Sequence, residues 1–277
     1  MAGVLFEGGS FRPIFSCGVM DALLEEDIMF PYCIGVSAGA ADAASYISGQ
    51  RRRNLEIMEK YRNDKRYLAK RNLLKERSPF GIEFVFRTIP NEKIPFDFET
   101  FQNYSGQFVI TVTDAETGNV HYFGKEDVDR EYKAFQATCS LPVIFPPVEI
   151  GERKYYDGGL SNPIPIDKLV KDGQKKALIV LTRPEGYVKE CTRMDRMVAK
   201  AVGLKYPRIA KRVLTRYQRY NQAVKACERL EREGRAVLLR PAHPLESFEG
   251  NVDTLRKNYQ EGYQMAMEQM DRIRGLL

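Results

Sequence analysis

Histidine is scarce in this chain of 277 residues, which contains only His121 and His243. A Ser-His-Asp triad would have to use one of them. His121 lies in a predicted strand that follows a turn, and His243 lies between two prolines. The hydrolase chain order of serine, aspartate and histidine still permits His243. A carboxylate within hydrogen-bond reach of a hydroxyl can also take its proton directly, so the sequence leaves two kinds of base open.

The cysteine pattern of a disulfide scaffold or a metal site is also missing. The five cysteines form neither a C-x-x-C pair nor an even framework: Cys17, Cys33, Cys139, Cys191 and Cys227. Free thiols suit a reducing cytoplasm, which we expect as the location of the protein. No group of histidine, cysteine and carboxylate residues has metal-ligand spacing, so we expect neither a metal nor another cofactor.

Long apolar runs are absent, and no segment approaches the roughly 20 residues of a membrane-spanning helix. The first residues lead directly into a predicted strand, so we expect no signal peptide. A chain of this length can bury a large core within one domain. Because no repeat, low-complexity tract or linker divides it, we expect one domain over residues 1–277. The motifs that suggest catalysis lie within residues 4–182, and we expect residues 183–277 to pack on this catalytic part of the domain.

The first such motif is Gly-Val-Ser-Ala-Gly at residues 35–39, between an apolar run and a stretch of small apolar residues. This is the G-x-S-x-G form of a nucleophile elbow, in which a strand turns sharply into a helix. Gly35 and Gly39 would allow the turn and lift the hydroxyl of Ser37 clear of the backbone. The motif recurs by chance, so its weight depends on what accompanies it.

Two further segments accompany the elbow. Gly8, Gly9 and Ser10 lie between a predicted strand and a predicted helix. Such a loop exposes backbone N–H groups and the positive end of the helix dipole, which an acyl-transfer reaction needs for its oxyanion. Asp157 precedes two glycines, which leave room for its backbone to approach another segment. The loop lacks both the G-K-[ST] ending of a P-loop and the spacing of a dinucleotide site.

In this order and setting, the motifs resemble those of the patatin-like phospholipase family. The resemblance covers about Val4 to Thr182 and is carried by residues 8–12, 35–39, 137–142, 145–147, 157–159 and 162–165. It implies a Ser-Asp dyad, in which Ser37 is the nucleophile and Asp157 the base. It also implies an oxyanion loop formed by Gly8, Gly9 and Ser10 and held by Arg12.

Two residues depart from the family pattern. Ser10 stands where the family usually has a third glycine, and Pro13 stands where a glycine often follows the basic residue. Ser10 keeps its N–H, so the oxyanion donor survives. If its backbone must adopt a positive φ, the serine costs about 1 kcal/mol or more.

Apolar strands alternate with helical patterns, which favours an α/β fold with a mostly parallel central sheet flanked by helices. The resemblance implies a patatin-like three-layer sandwich. We predict strands over residues 3–6, 107–113, 119–123, 176–181 and 236–239, the second and third forming a hairpin. Helices are predicted over residues 38–48, 130–138 and 251–273. The aromatic residues 79–86 are interpreted either as core or as a wall over an acyl-chain pocket.

Positive charge is concentrated in two segments, from Arg51 to Arg77 and from Lys189 to Arg219, although the net charge is only +6. One interpretation is two solvated helix faces. The other is peripheral contact with an anionic membrane, to which each basic residue near the surface contributes about 1 kcal/mol. No nucleic-acid motif is present, and we expect no nucleic-acid partner.

These features together predict a serine esterase or lipid acyl hydrolase that cleaves carboxylic esters of phospholipids or lysophospholipids through an acyl-enzyme. Two alternatives stay open. The protein could be a catalytically weak or inactive protein that binds anionic lipid, or an acyltransferase whose acceptor is not water. The sequence does not specify the headgroup, the acyl-chain length, the position cleaved or the oligomeric state.

Overall fold

The computed structural model describes all 277 residues around one eight-stranded sheet. Its strands are β1 Ala2–Phe6, β2 Tyr32–Val36, β3 Gln107–Asp114, β4 Val120–Gly124, β5 Val148–Ile150, β6 Arg153–Asp157, β7 Lys176–Val180 and β8 Ala236–Leu239. Seven follow the order β5-β6-β3-β2-β1-β7-β8, and β4 pairs with β3. The pairs among β3, β2, β1, β7 and β8 are parallel. The predicted α/β class and the hairpin of β3 and β4 are confirmed.

The parallel strands are buried on both faces, as their continuous apolar runs predict. Successive side chains of a strand point to opposite faces. Val4 and Phe6 therefore join the larger apolar cluster, and Leu5 between them joins the cluster on the other face.

Helices cover both faces of the sheet, which makes three layers. The larger cluster holds side chains of α1 Ile14–Glu25, α2 Ala38–Ile47, α5 Phe98–Asn103, α6 Lys133–Cys139, α10 Val252–Glu268 and α11 Met270–Arg274. The opposite cluster holds side chains of α7 Ile166–Lys171 and α9 Pro207–Arg232. No helix is long and apolar enough to cross a membrane.

The remaining helices lie around these layers. They are α3 Arg53–Tyr61, α4 Asn72–Glu76 and α8 Arg193–Gly203, with a π-helix at Phe84–Lys93 and 3₁₀ turns at Lys125–Asp127 and Gly158–Leu160. α8 begins at a capping box, in which Thr192 accepts the N–H of Asp195 and the Asp195 carboxylate accepts the N–H of Thr192. α10 begins where the Asn251 side chain accepts two backbone N–H groups.

Two predicted helices have different bounds in the structure. α6 begins at Lys133 rather than at residue 130, because Tyr132 adopts a left-handed conformation with φ 56° directly before it. The C-terminal helix is divided in two at Gln269, whose φ of −101° and ψ of 9° leave the helical region. The other predicted strands and the helix after the elbow agree with the structure to within two residues.

The register of β3 brings distant parts of the chain together. β2 pairs with β3 up to Val36 opposite Thr111, where β2 ends. β6 then pairs with the next residues of β3, with Asp157 opposite Val112. On its other edge, β3 pairs with β4 over residues 109–113. The end of β2 and the end of β6 therefore adjoin each other along one edge of β3.

Candidate active site

The predicted nucleophile lies at the turn between β2 and α2. Ser37 has φ 55° and ψ −136° and is 8% exposed. The turn is packed tightly: a Cβ added at Gly35 would lie 2.5 Å from the Cα of Ala40, and one added at Gly39 would lie 2.5 Å from the carbonyl oxygen of Glu7. These close backbone contacts leave no room for a side chain at either glycine.

A threonine holds this turn in place. The N–H of Ser37 donates to Thr138 Oγ1 at 2.8 Å, and the Thr138 hydroxyl donates to the carbonyl of Thr111 at 2.7 Å. Since Thr111 is the residue opposite the end of β2, this chain of bonds ties the elbow to β3. The Ser37 N–H is thereby occupied and is not a donor for a substrate.

Asp157 lies at the end of β6, beside the elbow, and is 1% exposed. Its N–H donates to the carbonyl of Ser140 at 2.9 Å, and its Oδ1 accepts the N–H of Gly159 at 2.7 Å. Burial raises the pKa of Asp157, while the charge of Arg216, the Ser37 hydroxyl and the Gly159 N–H act in the opposite direction. A raised pKa brings a carboxylate closer to the strength that a general base needs near neutral pH.

The glycine-rich loop covers the nucleophile. A Cβ added at Gly8 would lie 2.6 Å from the carbonyl oxygen of Val36 and 2.7 Å from the Cβ of Ser37. The N–H groups of Gly8, Gly9 and Ser10 have no hydrogen-bond partner in the protein. Ser10 has φ 58°, so this residue adopts the positive φ that favours glycine, although it is a serine. Three unpaired donors beside a serine hydroxyl form an arrangement that can receive an oxyanion.

Arg12 supports this loop from behind. A Cβ added at Gly9 would lie 2.5 Å from Arg12 Nη2. The guanidinium donates to Thr182 Oγ1 at 3.3 Å and to the Ser247 hydroxyl, and Thr182 Oγ1 in turn donates to the carbonyl of Gly8 at 2.9 Å. Arg12 is therefore linked to the loop through Thr182, which bonds both the guanidinium and the carbonyl of Gly8.

An apolar cavity of about 180 Å³ opens beside Ser10 and Ser37. The aromatic segment predicted as core or pocket wall serves as both, since Phe80 is buried and also lines the cavity. Phe80 stacks on Phe145, with ring centroids 5.0 Å apart. Two charged side chains lie in this wall: burial raises the pKa of Asp42 to about 7 and lowers that of Arg53 to about 10.

The chain matches models of known protein families. The family model described as patatin-like phospholipase matches residues 4–170, which is more than half of the chain. This chain belongs to the patatin-like phospholipase family. Members of this family are lipid acyl hydrolases. A second model, described as a domain of unknown function (DUF6363), matches residues 206–277 of this patatin-like chain.

Two individual proteins are similar to this patatin-like chain. The uncharacterized protein YjjU of Escherichia coli (strain K12) is 21% identical over 183 residues, which are 64% of this chain and 51% of YjjU. The chain thus spans about half the length of that curated relative. The crystal structure of VipD from Legionella pneumophila superposes with a TM-score of 0.51 at 12% identity, over 98% of this chain and 66% of VipD. At this low sequence identity, the similarity to VipD is evidence for a shared fold alone.

Neither histidine of this patatin-like chain contacts the Ser37 turn. His121 is exposed on β4 and packs against the rings of Phe123 and Tyr155. His243 is also exposed, and its Nδ1 lies 3.5 Å from Glu261 on α10. The carboxylate that the structure places beside Ser37 is that of Asp157.

Three residues next to the patatin-like site were not predicted for it. Thr138 bonds the Ser37 N–H, and the sequence signal for it was its place in the segment 137–142 that resembles the family. Burial raises the pKa of the Cys139 thiol well above its usual range, and the adjacent Ser37 hydroxyl offsets only part of this increase. Arg216 acts on Asp157 by its charge, and no sequence motif marked it.

Only some of the basic side chains in the two basic segments face solvent. In the first, Arg53 and Arg62 are buried, and Arg62 donates to the carbonyl of Phe248 at 2.9 Å. In the second, Arg219 donates to the carbonyls of Leu160 and Arg212, each at 2.7 Å. The interpretation of a basic segment as one solvated face is wrong for these side chains, because they satisfy carbonyl groups within the protein.

Proposed function

We propose that this protein hydrolyses carboxylic esters of phospholipids or lysophospholipids through a Ser37–Asp157 dyad and an acyl-enzyme. The main support for the proposal is the position of Ser37 at the mouth of an apolar cavity. A buried carboxylate lies on one side of it and three unpaired backbone N–H groups on the other. The family supports lipid acyl hydrolysis in general.

In the proposed reaction, Asp157 takes the hydroxyl proton as Ser37 Oγ attacks the ester carbonyl carbon. The carbonyl oxygen becomes an oxyanion and accepts hydrogen bonds from the N–H groups of the loop at Gly8, Gly9 and Ser10. Asp157 then returns the proton to the departing alcohol, which leaves an acyl-enzyme. Water, activated by the same carboxylate, releases the fatty acid and regenerates Ser37.

The apolar cavity is the proposed site of the acyl chain. Most of its lining is hydrophobic, and Ser10 and Ser37 lie in the same lining. An acyl chain in this cavity would bury apolar surface at about 25 cal/mol per Å² and would direct its ester carbon toward Ser37.

The dyad is tested by kinetics on a neutral short-chain ester. Ser37→Ala and Asp157→Asn should each nearly abolish turnover, and the double variant should be no worse, because residues that act as one unit are non-additive. A fluorophosphonate probe should label the wild type and not Ser37→Ala. The control variants His121→Ala and His243→Ala should keep a sizeable fraction of activity.

Three outcomes would redirect the assignment. If His243→Ala in a folded protein is as damaging as Asp157→Asn, a triad replaces the dyad. If the folded wild type neither reacts with the probe nor hydrolyses any ester, the protein is a lipid-binding protein. If acyl chains pass to an added alcohol in preference to water, the reaction is acyl transfer.

We also propose peripheral contact with anionic membrane, carried by two exposed apolar sites with basic neighbours. On α4, Leu74 is 94% exposed and Leu73 47%, and exposed cations flank them at Lys70, Arg71, Lys75 and Arg77. On and after α8, Met194, Met197 and Leu204 are 64%, 65% and 94% exposed, among Arg193, Arg196, Lys200 and Lys205. Apolar side chains that insert and cations that attract anionic headgroups are the two parts of an interfacial site.

Membrane contact is tested by sedimentation with vesicles that contain an anionic phospholipid. Binding should fall with added salt, because charges are screened over about 10 Å at 0.1 M. Leu74→Ser and Met197→Ser should weaken binding, whereas Leu277→Ser, at another exposed apolar residue, should not. Turnover of the soluble ester should be unchanged in all three variants. Binding that responds to neither salt nor these substitutions would remove the proposal.

A further inference from the structure

Four basic side chains gather where the parallel strands end. Arg12 follows the glycine-rich loop at the end of β1, and Arg183 and Lys189 lie in the segment that follows β7, the neighbour of β1. Arg216 lies on α9. All four side chains are half-buried, so each loses part of its hydration and keeps one side open to solvent.

None of these four cations forms an ion pair, although fifteen ion pairs between a lysine or arginine and a carboxylate occur elsewhere in the protein. Arg183 lies over the ring of Tyr187, 4.6 Å from its centroid, and Lys189 lies 5.9 Å from the centroid of Tyr220. Arg216 Nε is buried and has no hydrogen-bond partner. Buried donors without partners are rare in folded proteins and require an explanation, which a bound acceptor would supply at this site.

The four charges also repel one another. Burial, followed by the charges of Arg216, Arg12 and Arg183, lowers the pKa of Lys189 to about 8, against an opposing contribution from Asp195. Burial and the charges of Arg183 and Arg216 likewise lower the pKa of Arg12 to about 10.

Carboxylates do not balance this cluster. Glu7 attracts Arg12, but its carboxylate is buried and accepts the N–H of Thr182 at 2.7 Å. Asp157 is attracted to Arg216 without forming an ion pair, and Asp195 caps α8. Excess positive charge in a partly desolvated site is unfavourable until an anion enters it.

The cluster adjoins the proposed dyad on both sides. Arg12 packs against Gly9 of the oxyanion loop, and a Cβ added at Gly159 would lie 2.9 Å from Arg216 Nη2 and 2.9 Å from Asp157 Oδ1. None of the four cations lines the apolar cavity. An ester bound at Ser37 with its acyl chain in the cavity would direct its alcohol part away from the cavity, toward these cations.

We propose that Arg12, Arg183, Lys189 and Arg216 form a subsite for a phosphate group on the alcohol side of the scissile ester. The proposal rests on the proposed hydrolase function and assigns the side chains that would bind the phosphate of its phospholipid or lysophospholipid substrate. Guanidinium and ammonium groups together surround a tetrahedral phosphate, and charge-assisted bonds of this kind are the strong ones.

The kinetic test compares two esters with the same acyl chain, a 1-acylglycerol 3-phosphate and a 1-acylglycerol. Both are presented in micelles of neutral detergent, so that surface charge is constant. The wild type should prefer the phosphorylated ester in kcat/KM. Arg183→Gln and Lys189→Gln should each lower this preference about tenfold or more, since each removes a charged donor. Lys189→Arg should retain it, and so should the control Lys225→Gln on α9, which is exposed.

The binding test does not depend on catalysis. Ser37→Ala should bind glycerol 3-phosphate in calorimetry, and the added substitution Lys189→Gln should weaken binding about tenfold or more. Thermal unfolding should show the same protein folded, with a melting temperature that is no lower, because one repulsive charge has been removed.

Each result decides a separate point. A preference that is absent, or unchanged in Arg183→Gln and Lys189→Gln, overturns the subsite and leaves the hydrolase proposal intact. Binding of inorganic phosphate without any preference between the two esters means a free anion, and overturns the headgroup assignment. If neither ester is hydrolysed, the hydrolase proposal fails, and loss of glycerol 3-phosphate binding in Lys189→Gln still supports the subsite.

Discussion

Replacing Ser37 by glycine should leave the protein more stable than replacing it by alanine. Both substitutions remove the hydroxyl, and they differ in the Cβ, which is strained at φ 55° and ψ −136°. Such a backbone conformation costs about 1–3 kcal/mol in a residue other than glycine. Glycine also makes the unfolded chain more flexible, which offsets about 0.4–1 kcal/mol. We therefore expect Ser37→Gly to exceed Ser37→Ala by about 0.5–2 kcal/mol in free energy of unfolding.

The matched control is Ser45 in α2, the helix that begins directly after Ser37. There the backbone is helical, and both Ser45→Gly and Ser45→Ala lose the hydroxyl contacts with Asn54 and Arg53. Glycine is about 1 kcal/mol less favourable than alanine within a helix. The difference between the glycine and alanine variants should therefore change sign between the two positions. Equilibrium unfolding in urea measures it, and each 1 kcal/mol corresponds to about 2–4 °C in melting temperature.

If Ser37→Gly proves less stable than Ser37→Ala, as at Ser45, the nucleophile turn is not strained. The contacts of Gly35 and Gly39 would then be ordinary packing, and they would not hold a strained residue in place. Retention of the predicted sign would show that folding free energy is stored at the residue assigned as the nucleophile.

The remaining predictions concern the loop and the base. Ser10→Gly should keep or raise turnover and should stabilise the fold, since it relieves the strain at φ 58° and keeps the backbone N–H. Ser10→Pro removes that N–H and should lower kcat about 10²–10³-fold. Equal activity of Ser10→Pro and wild type would contradict the oxyanion role. Because the pKa of Asp157 is raised above 3.8, kcat/KM should increase with pH through a pKa above that value, and a profile without such a step would contradict its role as base. The folded state holds this proton more tightly than the unfolded chain, so wild type should lose stability relative to Asp157→Asn as pH rises above 3.8, as measured by thermal unfolding.

The fold was largely predictable, because strands buried on both faces have a distinctive apolar pattern. β8 agrees with its prediction at both ends, and β7 at its start. The predicted helix bounds that differ from the structure each depend on the backbone conformation of a single residue, such as the left-handed Tyr132 before α6. Neither that residue type nor its neighbours carry a signal for a positive φ, which tyrosine seldom adopts.

The elbow and the glycine-rich loop were predictable because closely packed backbone requires glycine, and these glycines form recognisable motifs in the sequence. The proximity of Ser37 and Asp157 was not a local property. It follows from the register of β3, where β6 continues the edge that β2 leaves at Thr111. Val36 pairs with Thr111 and Val112 pairs with Asp157, and pairing between segments so far apart in the chain has no local pattern. Motif order and the family resemblance supplied the proximity instead.

Charge was the least predictable feature. The segment that ends at Arg219 suggested a solvated face, yet Arg219 donates to two carbonyls and Arg216 acts on Asp157. Arginine has a long stem and five donors, so it can serve carbonyl groups several residues away from its own backbone position. Sequence spacing alone therefore cannot separate an arginine that faces water from one that faces the site.

The C-terminal part of the chain belongs physically to the same site, although a separate family model describes it from residue 206. A Cβ added at Gly18 would lie 2.0 Å from the carbonyl oxygen of Tyr259, and one added at Gly262 would lie 1.9 Å from that of Phe15, so α10 crosses α1 with the two backbones in direct contact. α1 follows the glycine-rich loop, and the carbonyl of Ser247 accepts the N–H of Phe11 beside that loop at 3.1 Å. Since packed backbones cannot move independently, displacement of α10 must also displace the loop. The proposed oxyanion donors therefore depend for their position on residues outside the segment that carries the catalytic motifs.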